Sequence, residues 1–435
     1  MLIFDKNSTA DVLGMYKALQ DKALEGREKT EQPSHILSEF SKDLTRVLYS
    51  SSFRRLGDKM QLLSVDSDTF YRKRLTHSLE VSNIALMITK ALNVKTRGAI
   101  EYKSDEIALM EAAAYAHDIG HPAFGHKGER VLDDLAQKYG LRFEGNAQNF
   151  RVLRKLDRCE ASNHGLNLTF RTLLAINKYC KSDKVEAGCV KPEKFMYDSD
   201  YRVLLKLRDK CKLGHGKTLD AQIIELADDI AYLVHDLEDG LAVSVVTLNE
   251  LVYGIRNYES DKFTDEEKTG AADLFSEMIN GVERKLKYSV VNTQQEYMHL
   301  FRVFLSSLMK SILVRNIEFN IEKKELTLKK THKALCKILS KITMRNVMRN
   351  TDIVLYEARG EVVIRTLFNI YSNKNINRNF ALMPPDYRPK TDSIEEIVRT
   401  AIDYISGMSD SFARNKFREL TGVDFENISI AELRD

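Results

Sequence analysis

The sequence predicts an all-α protein, and three observations carry the prediction. Six prolines occur, and none falls between Pro192 and Pro384. A stretch that avoids proline while rich in Leu, Ala, Glu and Lys suits helix, where a proline ring clashes and removes a donor. Apolar residues recur at helical spacing in several segments, whereas strand-like runs such as Val243–Thr247 are short and isolated. The 435 residues, 43% hydrophobic and 30% charged, exclude wholesale disorder and allow two or three domains.

The elements follow in order. A helix is expected over Ala10–Ala23, then a loop at Glu31–Ser34. A second runs from Ser38 to Leu48. Over 74–93, Leu75, Leu79, Ile84, Met87, Ile88 and Leu92 form an apolar stripe. Residues 104–117 form another helix, with Ser104 as N-cap. Gly120, Pro122, Gly125 and Gly128 then force a loop. Residues 181–218, with Gly188, Pro192, Gly214 and Gly216, read as an excursion of irregular pieces. A helix over 219–240 is expected to stop at Gly240. Residues 270–350 read as two or three long helices, and a polar linker over Asn373–Pro389 precedes a last helix at Ser393–Ser406. The expected domains are an N-terminal segment over 1–35, a helical core over 36–260 and a C-terminal helical region over 261–435 packed on the core.

Composition narrows the setting. No long purely apolar run marks a transmembrane helix, and Met1–Lys6 lacks the pattern of a secretory signal. Five scattered cysteines without a CxxC pair fit free thiols in a reducing, cytoplasmic compartment. A net charge of +3 is too balanced to argue for nucleic acid, so any anion site must come from local clustering.

The residues that carry chemistry begin with His77, His117, Asp118 and Asp228. Each lies on or at the end of an expected helix. Neighbours on a helix point about 100° apart, so a His-Asp pair at a helix end can reach one ion from two directions. Two imidazoles and two carboxylates suit Mn, Fe, Co, Zn or Mg better than a thiolate-bound structural zinc, and an octahedral ion would keep positions open for water or phosphate oxygen. A lone His-Asp dipeptide says little, and a second occurs at His235–Asp236. The first is favoured by the neighbouring His121, His126 and Glu129, with His121 a further site candidate. Asp228, Tyr232 and Asp236 share one helical stripe. That stripe either lines a pocket or is a solvated face.

Taken together, Phe53–Leu56, Arg74–Val81, Ala116–His126, Phe143–Gln148, Gly165–Thr169 and Ala227–Tyr232 resemble the bacterial deoxyguanosinetriphosphate triphosphohydrolase family of HD-domain enzymes, with a weaker echo at Asp403–Asp410. The likeness spans roughly residues 40–415 in the family's order. It implies an all-helical fold and hydrolysis of dGTP or another dNTP to deoxynucleoside and intact triphosphate. It implies that His77, His117, Asp118 and Asp228 hold a divalent metal, that His126 and Glu129 form the catalytic pair, and that Gln61, Arg74, Tyr232 and Asp236 contact sugar and phosphates. Gly57 and Met60 stand where the family pattern is more often polar, and residues 181–218 diverge, which leaves base preference open.

The residues fit that chemistry. No GxxxxGK[ST] occurs, so phosphates would be held by side chains such as Arg74. His126 and Glu129 are three apart, so on a helical turn the carboxylate can orient the imidazole. An alarmone hydrolase is disfavoured because Gly120–His121 stands where its acidic pair would fall, and no Gly-Tyr-Pro supports the cyclic-dinucleotide class. A silent nucleotide sensor or single-stranded DNA binder is the rival of another class; intact His126 and Glu129 argue against it. Finally, Lys329, Lys333, Lys337, Lys341, Arg345 and Arg349 fall at four-residue spacing beside an apolar face of Leu335, Ile338, Leu339 and Ile342. This row reads either as a solvated face or as a surface for a regulatory nucleotide, single-stranded DNA or phosphates at the boundary of a homo-oligomer.

Overall fold

The computed structural model describes residues 3–32, 36–61, 73–160, 162, 164–184, 193–214, 216–347 and 349–430. It contains seventeen α-helices and one two-stranded hairpin among these residues, so the all-α expectation holds. Contacts divide the chain into two units. The first comprises Met1–Lys17, Glu80–Lys103 and Gln222–Thr351; the second comprises Ala18–Leu79, Ser104–Ala221 and Asp352–Asp435.

In the first unit, three helices, Asp265–Leu286, Gln294–Arg315 and Lys330–Val347, stand where two or three were expected over 270–350, the first beginning earlier. Thr264 and Glu267 close a capping box on the first of them, satisfying amides that a helix start leaves open. Between the second and third lies a feature the sequence reading missed. Ile317–Asn320 pairs antiparallel with Glu325–Leu328, burying Ile317, Phe319, Leu326 and Leu328 on one side. Its four-residue strands are too short to show against Lys- and Glu-rich surroundings. Gln294–Arg315 is, among the described residues, the one helix long and apolar enough to cross a membrane on composition alone. Its buried Phe301, Leu305, Met309 and Leu313 form an i, i+4 stripe, and Arg302 and Lys310 lie between, the pattern of an amphipathic helix with one packed face.

Other boundaries depart from expectation. The first helix is Lys6–Ala18. Helix Leu219–Ala242 runs through Gly240 instead of stopping there. A Cβ at Gly240 would lie 3.1 Å from Val246 Cγ2 and 3.3 Å from Thr343 Cγ2, so glycine serves close packing. Leu79 points to solvent, outside the stripe assigned to it, while Ile84, Ile88 and Leu92 are buried.

In the second unit, helices Glu39–Tyr49 and Phe170–Ile176 pack against Ser104–Ala116, and helices Gly125–Gln137 and Gly145–Arg151 follow it in the chain. Ser38 caps the first by accepting from the Ser41 amide at 3.2 Å. Residues 181–218 are more regular than expected: Asp198–Lys210 is a helix, while Gly188 and Pro192 lie outside the described residues. The linker over 373–389 is held by buried Asn377, which donates to the Tyr371 carbonyl and accepts from the Leu382 amide. Ile394–Ser406 is not the last helix; Asp410–Thr421 follows, capped by Ser409. One core joins Ala123, Phe124, Leu132 and Phe143 to Tyr356, Leu367, Ile402, Ile405 and Phe425.

Candidate metal and catalytic site

The Ser104–Ala116 helix is short-sided, with Ala108, Ala112, Ala113, Ala114 and Ala116 all buried. It can therefore run deep into the unit and deliver His117 and Asp118 at its end. His77 enters from the first turn of helix Arg74–Lys95. The ligand atoms of His77, His117 and Asp118 all lie within 4.8 Å of one another, and all three residues are buried. The two imidazole rings are 5.4 Å apart.

The surroundings prepare this trio for a cation. His117 Nδ1 lies 2.7 Å from the Ala114 carbonyl, to which it can only donate. That bond sets the tautomer and directs the Nε2 lone pair toward the trio, the usual arrangement behind a metal-bound histidine. The His117 carbonyl accepts from Asn149 Nδ2 at 2.9 Å. Asp118 forms an ion pair with Arg74, and its Oδ1 lies 2.7 Å from His121 Nδ1. Burial pushes the Asp118 carboxyl up, but Arg74, His121 and His117 outweigh it and hold it well below the usual carboxylate range. A carboxylate kept ionised while buried, beside two imidazoles, fits a divalent metal.

The second pair lies at the start of helix Gly125–Gln137, which begins inside the segment expected as loop. His126 Nδ1 is 3.3 Å from Glu129 Oε2. The His126 side chain is 53% exposed while Glu129 is buried, so the imidazole can meet a ligand as its orienting carboxylate stays fixed. Glu129 Oε1 also accepts from the Gly145 amide at 2.9 Å and from Lys194 Nζ at 3.3 Å. Burial raises the Glu129 carboxyl; His126, His121, Lys194 and the Gly145 amide together bring it far below its ordinary value. The His121 and His126 rings are 6.3 Å apart, so His121 stands between the two groups.

Arg74 is buried, as is Gln61, whose Oε1 has no partner among the described residues. Asp228, Tyr232 and Asp236 belong to the first unit, on helix Leu219–Ala242. Asp228 and Tyr232 are half-buried and Asp236 is buried, so their stripe is not a solvated face. The second His-Asp pair has its own explanation in that unit: His235 Nε2 pairs with Glu80, which lies 3.9 Å from Lys310.

Sequence reasoning missed two groups. Lys194 bridges Glu129 and Glu144, at 2.8 Å from the latter. Lys59 is buried and donates to the His121 carbonyl at 2.5 Å and the Ser406 carbonyl at 3.1 Å. Neither lies near its partners in sequence, and neither belongs to a spaced motif.

A buried His-His-Asp cluster at the junction of helices is the mark of the HD domain, and the model of that domain matches residues 74–233. A second model, described as a phosphohydrolase-associated domain, matches residues 326–419. The class is thus an HD-domain phosphohydrolase. The chain is 41% identical over 381 residues to a deoxyguanosinetriphosphate triphosphohydrolase-like protein 2 of Vibrio cholerae serotype O1, covering 88% of each chain. It is 31% identical to a protein of the same name in Deinococcus radiodurans, over 90% of this chain and 94% of that one. It is 31% identical to a deoxyguanosinetriphosphate triphosphohydrolase-like protein of Rickettsia felis, over 93% and 97%. The chain belongs to the deoxyguanosinetriphosphate triphosphohydrolase-like family of HD-domain proteins.

Proposed function

We propose that the protein is a metal-dependent deoxynucleoside triphosphate triphosphohydrolase of the cytoplasm, with dGTP the first substrate to test. The observation that carries the reading is the buried His77–His117–Asp118 trio in the same unit as the His126–Glu129 pair. A bound divalent ion would act as a Lewis acid on an α-phosphate oxygen. Water adds its oxygen to the α-phosphorus, the bond to the 5′ oxygen breaks, and the proton lost by water is matched by one gained on the departing deoxynucleoside. His126, oriented by Glu129, handles that proton on one side of the exchange. Arg74, beside Asp118, supplies a guanidinium suited to a phosphate oxygen. The relatives' names support a dGTP-like substrate.

The family resemblance adds Asp228 as a metal ligand and assigns Gln61, Tyr232 and Asp236 to sugar and phosphate contacts; these assignments rest on sequence motifs. It also supports a homo-oligomer regulated by nucleotide or single-stranded DNA. Lys333, Lys337, Lys341 and Arg345 are exposed along helix Lys330–Val347, while Leu335, Ile338 and Leu339 are buried, which leaves the basic row available to an anion. The test of the catalytic reading is His126→Ala: loss of triphosphate release from dGTP with dGTP binding retained supports it, and undiminished release contradicts it.

A further inference from the structure

Helix Gly125–Gln137, which carries His126 and Glu129, starts from an unusual residue. Phe124 adopts φ 60 and ψ 27, the left-handed conformation that a bulky side chain rarely takes. Its carbonyl accepts the Gly128 amide at 3.2 Å, so this residue sets the direction of the first turn. Such a conformation persists only where the surroundings over-determine it.

The surroundings come from the C-terminal part of the same unit. Asp410 Oδ1 accepts from the Phe124 amide at 3.1 Å. Asp410 Oδ2 accepts from the Tyr356 hydroxyl at 3.0 Å and from the Met60 amide at 3.0 Å, one residue before Gln61. The Phe124 ring stacks on Phe425 at 5.8 Å and 4°, and contacts Tyr356 at 5.6 Å. A Cβ at Gly360 would come within 2.5 Å of Phe124 Cγ, so the ring rests on bare backbone there. Buried Asp410 thus spends both oxygens on the segments that lead into His126 and Gln61.

We propose that Asp410 is a positioning residue for the His126–Glu129 pair: it holds Phe124 in the left-handed conformation and so fixes the tilt of the catalytic helix relative to His117 and Asp118. His126 and Glu129 share this helix, so a tilt carries the pair as a unit away from His117 and Asp118 and strains the 2.9 Å bond from the Gly145 amide to Glu129 Oε1. On this account the phosphohydrolase-associated region acts on catalysis through one carboxylate. The catalytic readout rests on the function proposed above; the exchange readout below does not.

Asp410→Asn keeps the side chain's size but turns one acceptor into a donor facing an N–H or O–H. The control is Asp58→Asn. Asp58 accepts from Ser409 and Ser411 hydroxyls at 2.6 and 2.8 Å, anchoring the same C-terminal turn without contacting Phe124. In folded Asp410→Asn, kcat for dGTP should fall about ten- to a hundredfold because the pair is misplaced, and any rise in KM reports the Met60 amide beside Gln61, which the same carboxylate holds. Hydrogen exchange of amides over 124–130 should quicken about tenfold or more in Asp410→Asn and stay at the wild-type rate in Asp58→Asn. Asp58→Asn should keep kcat within about twofold. Gly360→Ala, which pushes on the Phe124 ring, should repeat the kcat loss and serves if Asp410→Asn does not fold. Wild-type kcat and exchange in Asp410→Asn, or an equal kcat loss in Asp58→Asn at matched stability, would overturn the proposal. A wild-type protein that hydrolyses no dNTP would sink the proposed function alone, and the exchange comparison would still decide the positioning role.

Discussion

Gly120 follows the His117–Asp118 pair by two residues, and a single methyl there should dismantle the metal site. A Cβ on Gly120 would lie 2.0 Å from the Asn149 amide nitrogen, 2.4 Å from Asn149 Cα and 2.4 Å from the Gly145 carbonyl oxygen. All three are backbone atoms of helix Gly145–Arg151, so no side-chain rotation relieves the contact. Ordinary van der Waals contact begins at 3.4 Å, so the two segments must part by about 1.4 Å. Overpacking of this kind costs roughly 1–3 kcal/mol, and more when backbone must move. The same movement pulls Asn149 Nδ2 away from the His117 carbonyl, which it meets at 2.9 Å. A displacement of that size costs about a hundredfold in turnover. Purified Gly120→Ala should therefore melt earlier, hold less metal than one ion per chain, and lose about two orders of magnitude in kcat/KM. The control is Gly14→Ala in helix Lys6–Ala18, where nothing lies within 4 Å of the added methyl; it should stabilise by about 1 kcal/mol. A folded Gly120→Ala with full metal content and normal turnover would refute the reasoning.

Three further outcomes are expected. Asp118→Ala removes the trio's only carboxylate, so metal content by elemental analysis and turnover should both vanish; full stoichiometry would show the trio is not the site. Lys59 is lowered to about 7 by burial, with Arg55 and Arg74 adding to it, and its two carbonyl acceptors match the two N–H groups of a neutral amine. Between that value and the ordinary 10.5 the unfolded chain binds the proton and the folded chain does not, so stability rises with pH there and flattens below about 7. Denaturation at several alkaline pH values should show wild type steeper than Lys59→Met by up to about 1.4 kcal/mol per pH unit, and equal slopes would mean that Lys59 stays charged. Lys337→Glu with Lys341→Glu reverses two exposed charges of the basic row, one of them 3.6 Å from Asp229. Oligonucleotide binding should weaken or dNTP activation flatten while the unregulated rate holds; identical regulation would leave the row as solvated surface.

Local residues announced part of the candidate site's geometry. His117–Asp118 ends a helix whose alanines are readable as a close-packing face, and His126 and Glu129 are at i, i+3 on a helical turn as their spacing suggested. The unread parts depend on distant residues. Lys194 reaches Glu129 across 65 positions, Asp410 reaches Phe124 across 286, and His235 finds Glu80 across 155. No periodicity encodes such pairings, because each is set by the packing of separate helices. Gly240 misled for a related reason: glycine reads as a helix stop in isolation, yet here it makes room for Val246 and Thr343. The short hairpin was hidden because four-residue strands yield too few alternations to compete with a helical background.

The central claim is metal-dependent release of intact triphosphate, and the most direct measurement follows tripolyphosphate from all four dNTPs, singly and mixed, with Mn²⁺ or Mg²⁺. The account predicts stoichiometric tripolyphosphate and deoxynucleoside, abolished by chelator and by His126→Ala. Release of orthophosphate or pyrophosphate instead, or turnover unaffected by chelator, would contradict it.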